Sequence, residues 1–538
     1  MRAILTALCL LPTTLLAHGV YVNSDAWNFW ADHDFSAADR TGLVKALEED
    51  VDYYTARGGV RAILWNMNFQ RSFYPTKAGT PYWKDLALDG QGRLLLRGKP
   101  IDATEVEENT ATMYRRMFLN AKRMNETLPD FMKVRYDLCR KRGVESWFSM
   151  RMNDVHWAVA ATTERPQHGD LWREHPEFRR AWYRSAWRAN WHDGTLDYGR
   201  KEVYDCHLAM AKEYLLDYES DGLELDWMRS SPVLRPGAEE EGAAILTRFV
   251  REVRAAAVEA ARKWGHPVRV AMRVPARVSE CLAIGMDVPA WAAEGLVDVV
   301  VPAPPSHVRT EQDADITLWR KLLPASVTLA PAIDYAVSTD GNAALTGDNE
   351  TDCAFASNFY RQGADTVYFY NHFPRHARER ADAQEAFPLC ADRAKAAAHV
   401  RRHVLTRHIP VGEGAAFDYR HFDTYRLNLG EGVAERRAVL VVGTRRKGEF
   451  EIRVNGETCR ELGADDLPKR LPGGTISWRT AEVKSAHDGW NVVEFTDRTG
   501  DPIRPEELVW LEISIREKNP EGANLYNKEG LPACAFRW

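Results

Sequence analysis

After its first eighteen residues the chain has no apolar run of the ~20 residues that a membrane-spanning helix requires. Cysteine is sparse, with eight in 538 residues. Cys139, Cys206, Cys281, Cys353, Cys390, Cys459 and Cys534 are widely spaced and none forms a CxxC pair, so neither a dense disulfide framework nor a zinc ribbon is present. Buried thiols, or one or two long-range bridges, remain. An excess of positive charge is also missing. Lys and Arg total 71 against 77 Asp and Glu, a net charge of −6. A nucleic-acid protein needs a basic face, which this balance does not provide. At 45% hydrophobic the chain is no acidic disordered tract either. No GxSxG elbow announces a serine nucleophile, and no GxGxxG or P-loop signals a nucleotide. A metallohydrolase barrel would want His-x-His after its first strand. Only Asp154-x-His156 and the scattered His307 and His372 offer such material, so the reading contains no metal and no cofactor.

What is there begins with a leader. Arg2, the apolar run Ala3–Ala17 and the small residues Ala17 and Gly19 fit a secretory signal peptide over residues 1–18, with export or a periplasmic location and no membrane anchor. From residue 19 to 405, short β-branched runs alternate with helix-period segments. Strands are expected at Val20–Asn23, Val60–Trp65, Val144–Met150, Gly222–Met228, Val268–Arg273, Val297–Val301, Val327–Ile333 and Thr366–Tyr370. The helices between them include single long ones over Thr104–Arg142 and Arg378–Arg402. Such alternation builds parallel sheet, and eight units is the number that closes a (β/α)8 TIM barrel. From residue 406 to 538, period-two runs (Tyr425–Leu429, Ala438–Val442, Phe450–Val454) and turn signals at Asn455-Gly456 and Gly473-Gly474 predict an antiparallel β-sandwich.

Two connections, Asn66 to Ala103 and Arg151 to Gly199, are far longer than ordinary α/β loops. Both leave the carboxyl ends of strands, where barrel enzymes keep their sites. Six of the 18 tryptophans lie between Trp147 and Trp191. Trp157, Trp172, Trp182, Trp187 and Trp191 in the second connection are either sugar-stacking rings or that loop's own small core.

The most specific signal is DGLELDWMR, Asp221 to Arg229. On a strand Glu224, Asp226 and Met228 share one face, with Asp226 near the carboxyl end. Here the sequence resembles secreted (β/α)8 glycoside hydrolases, in particular the glycosyl-hydrolase-like family 10 group. The resemblance runs from GVYVNSDAWNFW through VRAILWNMNFQRSFYP to DGLELDWMR and YFYNHF. It implies a catalytic Asp ending the fourth strand, at Asp226. DGLELDW is also similar to the fourth-strand motif of family 18 chitinases, whose acid Glu would fall at Met228, a residue that cannot donate a proton.

Glycoside hydrolysis takes one protonated and one ionised carboxyl group. Asp226 is expected to be the ionised member. Its partner comes from Asp334, the preferred choice, Asp154, Asp25 or the deeper Glu224. Substrate contacts are expected from Asp25, Asn66, Asn68, Arg71, Arg151, Asn153, His156, Trp157, Trp227, Arg229, Arg273, His307, Tyr335, Tyr370, Asn371 and His372. The arginines among them suit an anionic, sulfated or uronic glycan, although ion pairing with core carboxylates is an equal reading for Arg151 and Arg273. The expected partner is therefore a carbohydrate, with no nucleic acid; the sequence sets no oligomeric state. Two alternatives stand beside this reading: a barrel that binds glycan without cleaving it, and a metal-dependent hydrolase of the same fold.

Overall fold

The structure is a computed structural model, which describes residues 19–101, 108–154, 165–184, 191–304, 309–340, 342–373, 382–407, 424–445, 450–497 and 507–517. The leader expected at 1–18 lies outside them, as do His156, Trp157 and His307.

The chain is a mixed α/β protein built on a curled sheet of nine parallel strands. These are β1 (Val20–Ser24), β2 (Val60–Asn66), β3 (Glu145–Arg151), β4 (Gly222–Asp226), β5 (Arg269–Pro275), β6 (Val299–Ala303), β7 (Thr328–Leu329), β8 (Ala332–Asp334) and β9 (Tyr368–Tyr370). Their order is β7-β6-β5-β4-β3-β2-β1-β9-β8. The segment expected as one seventh strand is thus two, and its halves stand at opposite edges of the sheet. Pro331, which has no N–H to give a ladder, lies at the break. Before it, the Ala330 amide donates to the Val300 carbonyl at 3.0 Å; the Pro331 carbonyl itself accepts from Tyr368 N–H at 3.0 Å.

Helices cover the outer side of the sheet. The long helix Glu239–Trp264 shows why its sequence folds so: Glu239, Glu240 and Glu241 face the positive amino end of the dipole, Arg262 and Lys263 the negative end, and Gly265 stops it at φ 78°. Its Leu246, Phe249, Val250 and Val253 form the buried stripe. The expected helix Thr104–Arg142 is two, Glu108–Thr127 and Phe131–Lys141. Pro129 disfavours helical backbone at Leu128 and breaks it there. The expected helix Arg378–Arg402 is also corrected. Its described part holds Ala386–Cys390 and Arg393–Ala398, the latter started by the Asp392 carboxylate. It then becomes a strand, Arg401–Val404, because Arg402 meets the Glu512 carboxylate with Nε and Nη2 at 2.9 and 2.8 Å.

Arg401–Val404 pairs antiparallel with Leu508–Arg516 in a five-stranded sheet. A four-stranded antiparallel sheet (Thr424–Asn428, Phe450–Val454, Glu457–Thr458, Trp490–Asp497) shares one core with it, Tyr425, Leu427, Ile452 and Phe495 packing with Leu440, Val442, Leu511 and Ile513. Asn455 and Gly456, at φ 52° and 80°, make the two-residue hairpin between Phe450–Val454 and Glu457–Thr458. Among the described residues Cys139, Cys206, Cys281, Cys353, Cys390 and Cys459 are free thiols, and no helix is long and apolar enough to cross a membrane.

The concave face of the parallel sheet is filled in layers. Tyr21, Ala62, Leu64, Trp147, Ala271, Val299, Ala332 and Tyr368 form its apolar floor. A Cβ on Gly222 would stand 2.5 Å from ring atoms of Trp147, so glycine alone admits that indole. Gly222→Ala is expected to cost about 1–3 kcal/mol through overpacking, read as a lower urea midpoint with unchanged slope; an unchanged midpoint would contradict the layered floor.

Candidate active site

Above that floor the layers turn polar. In register, Ser149 lies beside Glu224, and Arg151 beside Asp226, which lies beside Arg273. Asp334 is paired with Tyr370 across β8 and β9. Strand alternation sends these side chains inward while Leu223 and Leu225 face the helices.

Asp226 ends β4 and is buried. Its Oδ1 accepts from Arg273 Nη1 at 2.8 Å and from its own loop, through Met228 N–H, at 3.1 Å. The Arg273 guanidinium carbon lies over the Tyr370 ring, 3.6 Å from its centroid, a cation–π contact. Asp334 is also buried, and neither of its carboxyl oxygens accepts a hydrogen bond from a side chain. Burial therefore holds its pKa well above the usual carboxylate range, against the opposing pull of Arg273, the Ala336 and Tyr335 amides and Arg229. Tyr370 hydroxyl and Arg273 Nε are further buried polar atoms without a protein partner in this layer, and Asn66 Oδ1, in register with Ser149, is another.

Glu224 lies one layer down. Its Oε2 accepts from the Ser149 hydroxyl and, at 3.3 Å, from Asn23 Nδ2. Burial, with the Asp226 charge adding to it, pushes its pKa up to about 7, against Ser149, Tyr368 and Arg273. An unfolded glutamate loses its proton near ~4.3. Between that value and about 7 the folded protein binds the extra proton, so this group makes stability fall as pH rises. Glu224→Gln removes the slope: its urea midpoint relative to wild type should be higher at about pH 8 than at about pH 4. Equal differences at both would contradict a protonated Glu224.

The other expected residues divide into those at this layer and those elsewhere. Arg151 meets Asp154 at 2.9 Å and also pairs with Asp25, whose Oδ1 caps the helix Ala26–Asp32 by accepting from Trp27 N–H at 2.9 Å. Both carboxylates are thereby tied to structure. Asn68 bonds the Arg151 backbone on both sides, and Asn153 bonds the Leu196 backbone on both sides. Asn371 holds a left-handed turn at φ 60° just after β9, and His372 packs on Phe369 with ring centroids 4.6 Å apart. Tyr335 follows Asp334, and its carbonyl accepts from Gly347 N–H at 2.8 Å. Arg71 sits away from the strand ends, donating to the carbonyls of His168, Tyr82 and Lys84. Trp227 faces the helical layer, against Tyr198 and Phe249. Of the long-loop tryptophans, Trp172 is packed under Arg179 and beside His168, whereas Trp182 is exposed.

A cavity of about 370 Å³ lies between the loops after β2 and β3 and the helix Lys201–Leu216; Arg151, Asn153 and Asp154 form part of its wall, and neither Asp226 nor Asp334 lines it. Sequence reasoning missed the supporting floor of Ser149, Tyr368, Trp147 and Gly222. Counting back by two from Arg151, Tyr370 and Asp226 would have found Ser149, Tyr368 and, two steps down, Gly222.

No family model matches the chain, and no curated protein does. Among solved structures it is similar to several glycoside hydrolases. The glycoside hydrolase domain of PgaB (BpsB) from Bordetella bronchiseptica aligns over 68% of this chain and 97% of its own, at 11% identity and a TM-score of 0.37. A family 18 N-acetylglucosaminidase from Paenibacillus barengoltzii aligns over 69% and 99%, at 10% identity and 0.35. For α-L-fucosidase isoenzyme 2 from Paenibacillus thiaminolyticus the coverage is 71% of this chain and 47% of that one, with 12% identity and 0.38. What the chain shares with these glycoside hydrolases is a loose structural outline.

Proposed function

We propose that the protein is a glycoside hydrolase with its catalytic pair at Asp226 and Asp334, on a (β/α)8 barrel that the two halves of Thr328–Asp334 close. One observation carries the reading. A single arginine, Arg273, binds one carboxylate directly and is the leading positive charge on a second carboxyl group, Asp334, whose pKa burial raises well above the usual carboxylate range. Two carboxyl groups driven into opposite protonation states are what acid-assisted cleavage of a glycosidic bond requires.

In this reading Asp334 donates its proton to the departing glycosidic oxygen. The carboxylate left behind is the form that Arg273, the Ala336 and Tyr335 amides and Arg229 favour, so the site is preset for the charge that develops. Asp226, ionised and held by Arg273, acts on the sugar carbon as nucleophile or through water as base. Tyr370 and Asn66 offer their unpartnered atoms to sugar hydroxyls. The leader at 1–18 would carry the enzyme out of the cytoplasm, and the two antiparallel sheets form an accessory sandwich. Arg71, Arg151 and Arg273 are committed to protein carbonyls and carboxylates, so an anionic glycan loses most of the residues it rested on.

Met228, which packs on the apolar floor, favours a second reading in which the barrel binds glycan without cleaving it. Incubation with a broad polysaccharide panel separates the two: new reducing ends support hydrolysis, and binding without product supports the second.

A further inference from the structure

Few large apolar side chains of the described residues stand in water, and two of them are neighbours: Trp182 is 58% exposed and Tyr183 is 61% exposed. Their rings lie edge to face, centroids 6.3 Å apart at 82°. The backbone beneath them is fastened. Arg180 and Ala181 amides donate to the Thr195 and Asp193 carbonyls at 2.6 and 3.1 Å, and Arg184 Nη1 holds the Asp193 carboxylate at 2.8 Å. The same segment reaches the mouth of the sheet by two routes. Arg180 Nε donates to the Leu234 carbonyl and Thr195 Oγ1 to that of Pro232, in the chain that follows Asp226. Leu196 is bound by Asn153, whose amide donates to the Arg229 carbonyl at 2.7 Å. The aromatic pair thus stands on a braced rim, connected through short hydrogen-bonded links to the loop that carries Asp226.

Resting on the glycosidase reading, we propose that Trp182 and Tyr183 form a stacking platform for pyranose rings of a chain extending past the Asp226–Asp334 centre, so that the substrate is a polysaccharide. Aromatic faces take the C–H-lined faces of sugar rings. A protein partner is disfavoured by area. A specific interface needs about 800 Å² on each side, while this is two rings in a polar surround; Val258, Leu282, Leu318 and Leu322, the other exposed large apolar residues, lie elsewhere in the chain.

The test is gel retardation of the full chain by hydroxyethyl cellulose, glycol chitin, xylan and alginate. It is run in the Asp226→Asn background so that cleavage plays no part, with and without Trp182→Ala and Tyr183→Ala together. Retardation by at least one polymer, weakened about tenfold or more by the double change while the thermal midpoint stays put, is the expected result. Retardation that the double change leaves intact, or none by any of the four polymers, would overturn the platform. So would a dimer in light scattering that the double change converts to monomer, since the rings would then serve a second copy of the chain. Each of these leaves the catalytic pair to be judged on product release alone.

Discussion

Asp334→Asn is expected to lower kcat by about 10²–10⁴, the range that positioned general acids supply, with a much smaller change in KM. An amide fills the carboxyl's place but has no proton of suitable acidity to give. The pH profile carries a second signature. Wild-type activity should fall on the alkaline side as the raised Asp334 group finally loses its proton, and that limb should vanish in the variant. Substrates with a good leaving group, which need little protonation, should be cleaved almost as well by Asp334→Asn as by wild type. Infrared difference spectra between wild type and variant at neutral pH should show the C=O stretch of one protonated carboxylic acid disappearing. A carboxylate band in its place would remove the acid from the scheme.

The second large effect concerns folding. Arg273 is buried between Asp226 and Tyr370 and is also the leading opposing charge on Asp334. Arg273→Met leaves Asp226 buried without its counter-ion, which costs about 3–5 kcal/mol. Arg273→Met combined with Asp226→Asn should be more stable than Arg273→Met alone, because no uncompensated charge remains. If the double change were no better than the single one, the pairing of Arg273 with Asp226 would not be what holds this layer together.

Much of the sheet was legible in the sequence. Short β-branched runs separated by helix-period segments placed eight strands, seven of which lie within a few residues of their expected positions. The seventh was not legible as two, because a proline inside an apolar run marks a break without telling which neighbour each half will serve. Arg401–Val404 was absorbed into a helix for a similar reason. Its strand state depends on Glu512, more than a hundred residues later, and local periodicity cannot see such a partner.

The site was legible as a list of residues and opaque as a set of roles. Asp226 and Asp334 could be placed at strand ends by alternation, but their protonation states follow from partners. Arg273 sits opposite one and no side-chain donor reaches the other. Asp154, just past a predicted strand end, and Asp25 were both candidates in sequence, and both are bound to Arg151. Arg71 has the composition of a substrate clamp, and its guanidinium instead gathers backbone carbonyls of two loops. Among the tryptophans, position along the loop did not separate Trp172, buried under Arg179, from Trp182, exposed on the rim.

The most direct measurement is the release of reducing ends from a panel of neutral and anionic polysaccharides by wild type, Asp226→Asn and Asp334→Asn, each shown to be folded. The account predicts release by wild type from at least one polymer and a loss of at least about a hundredfold in both variants. Full activity of Asp226→Asn on a polymer that wild type cleaves would contradict it.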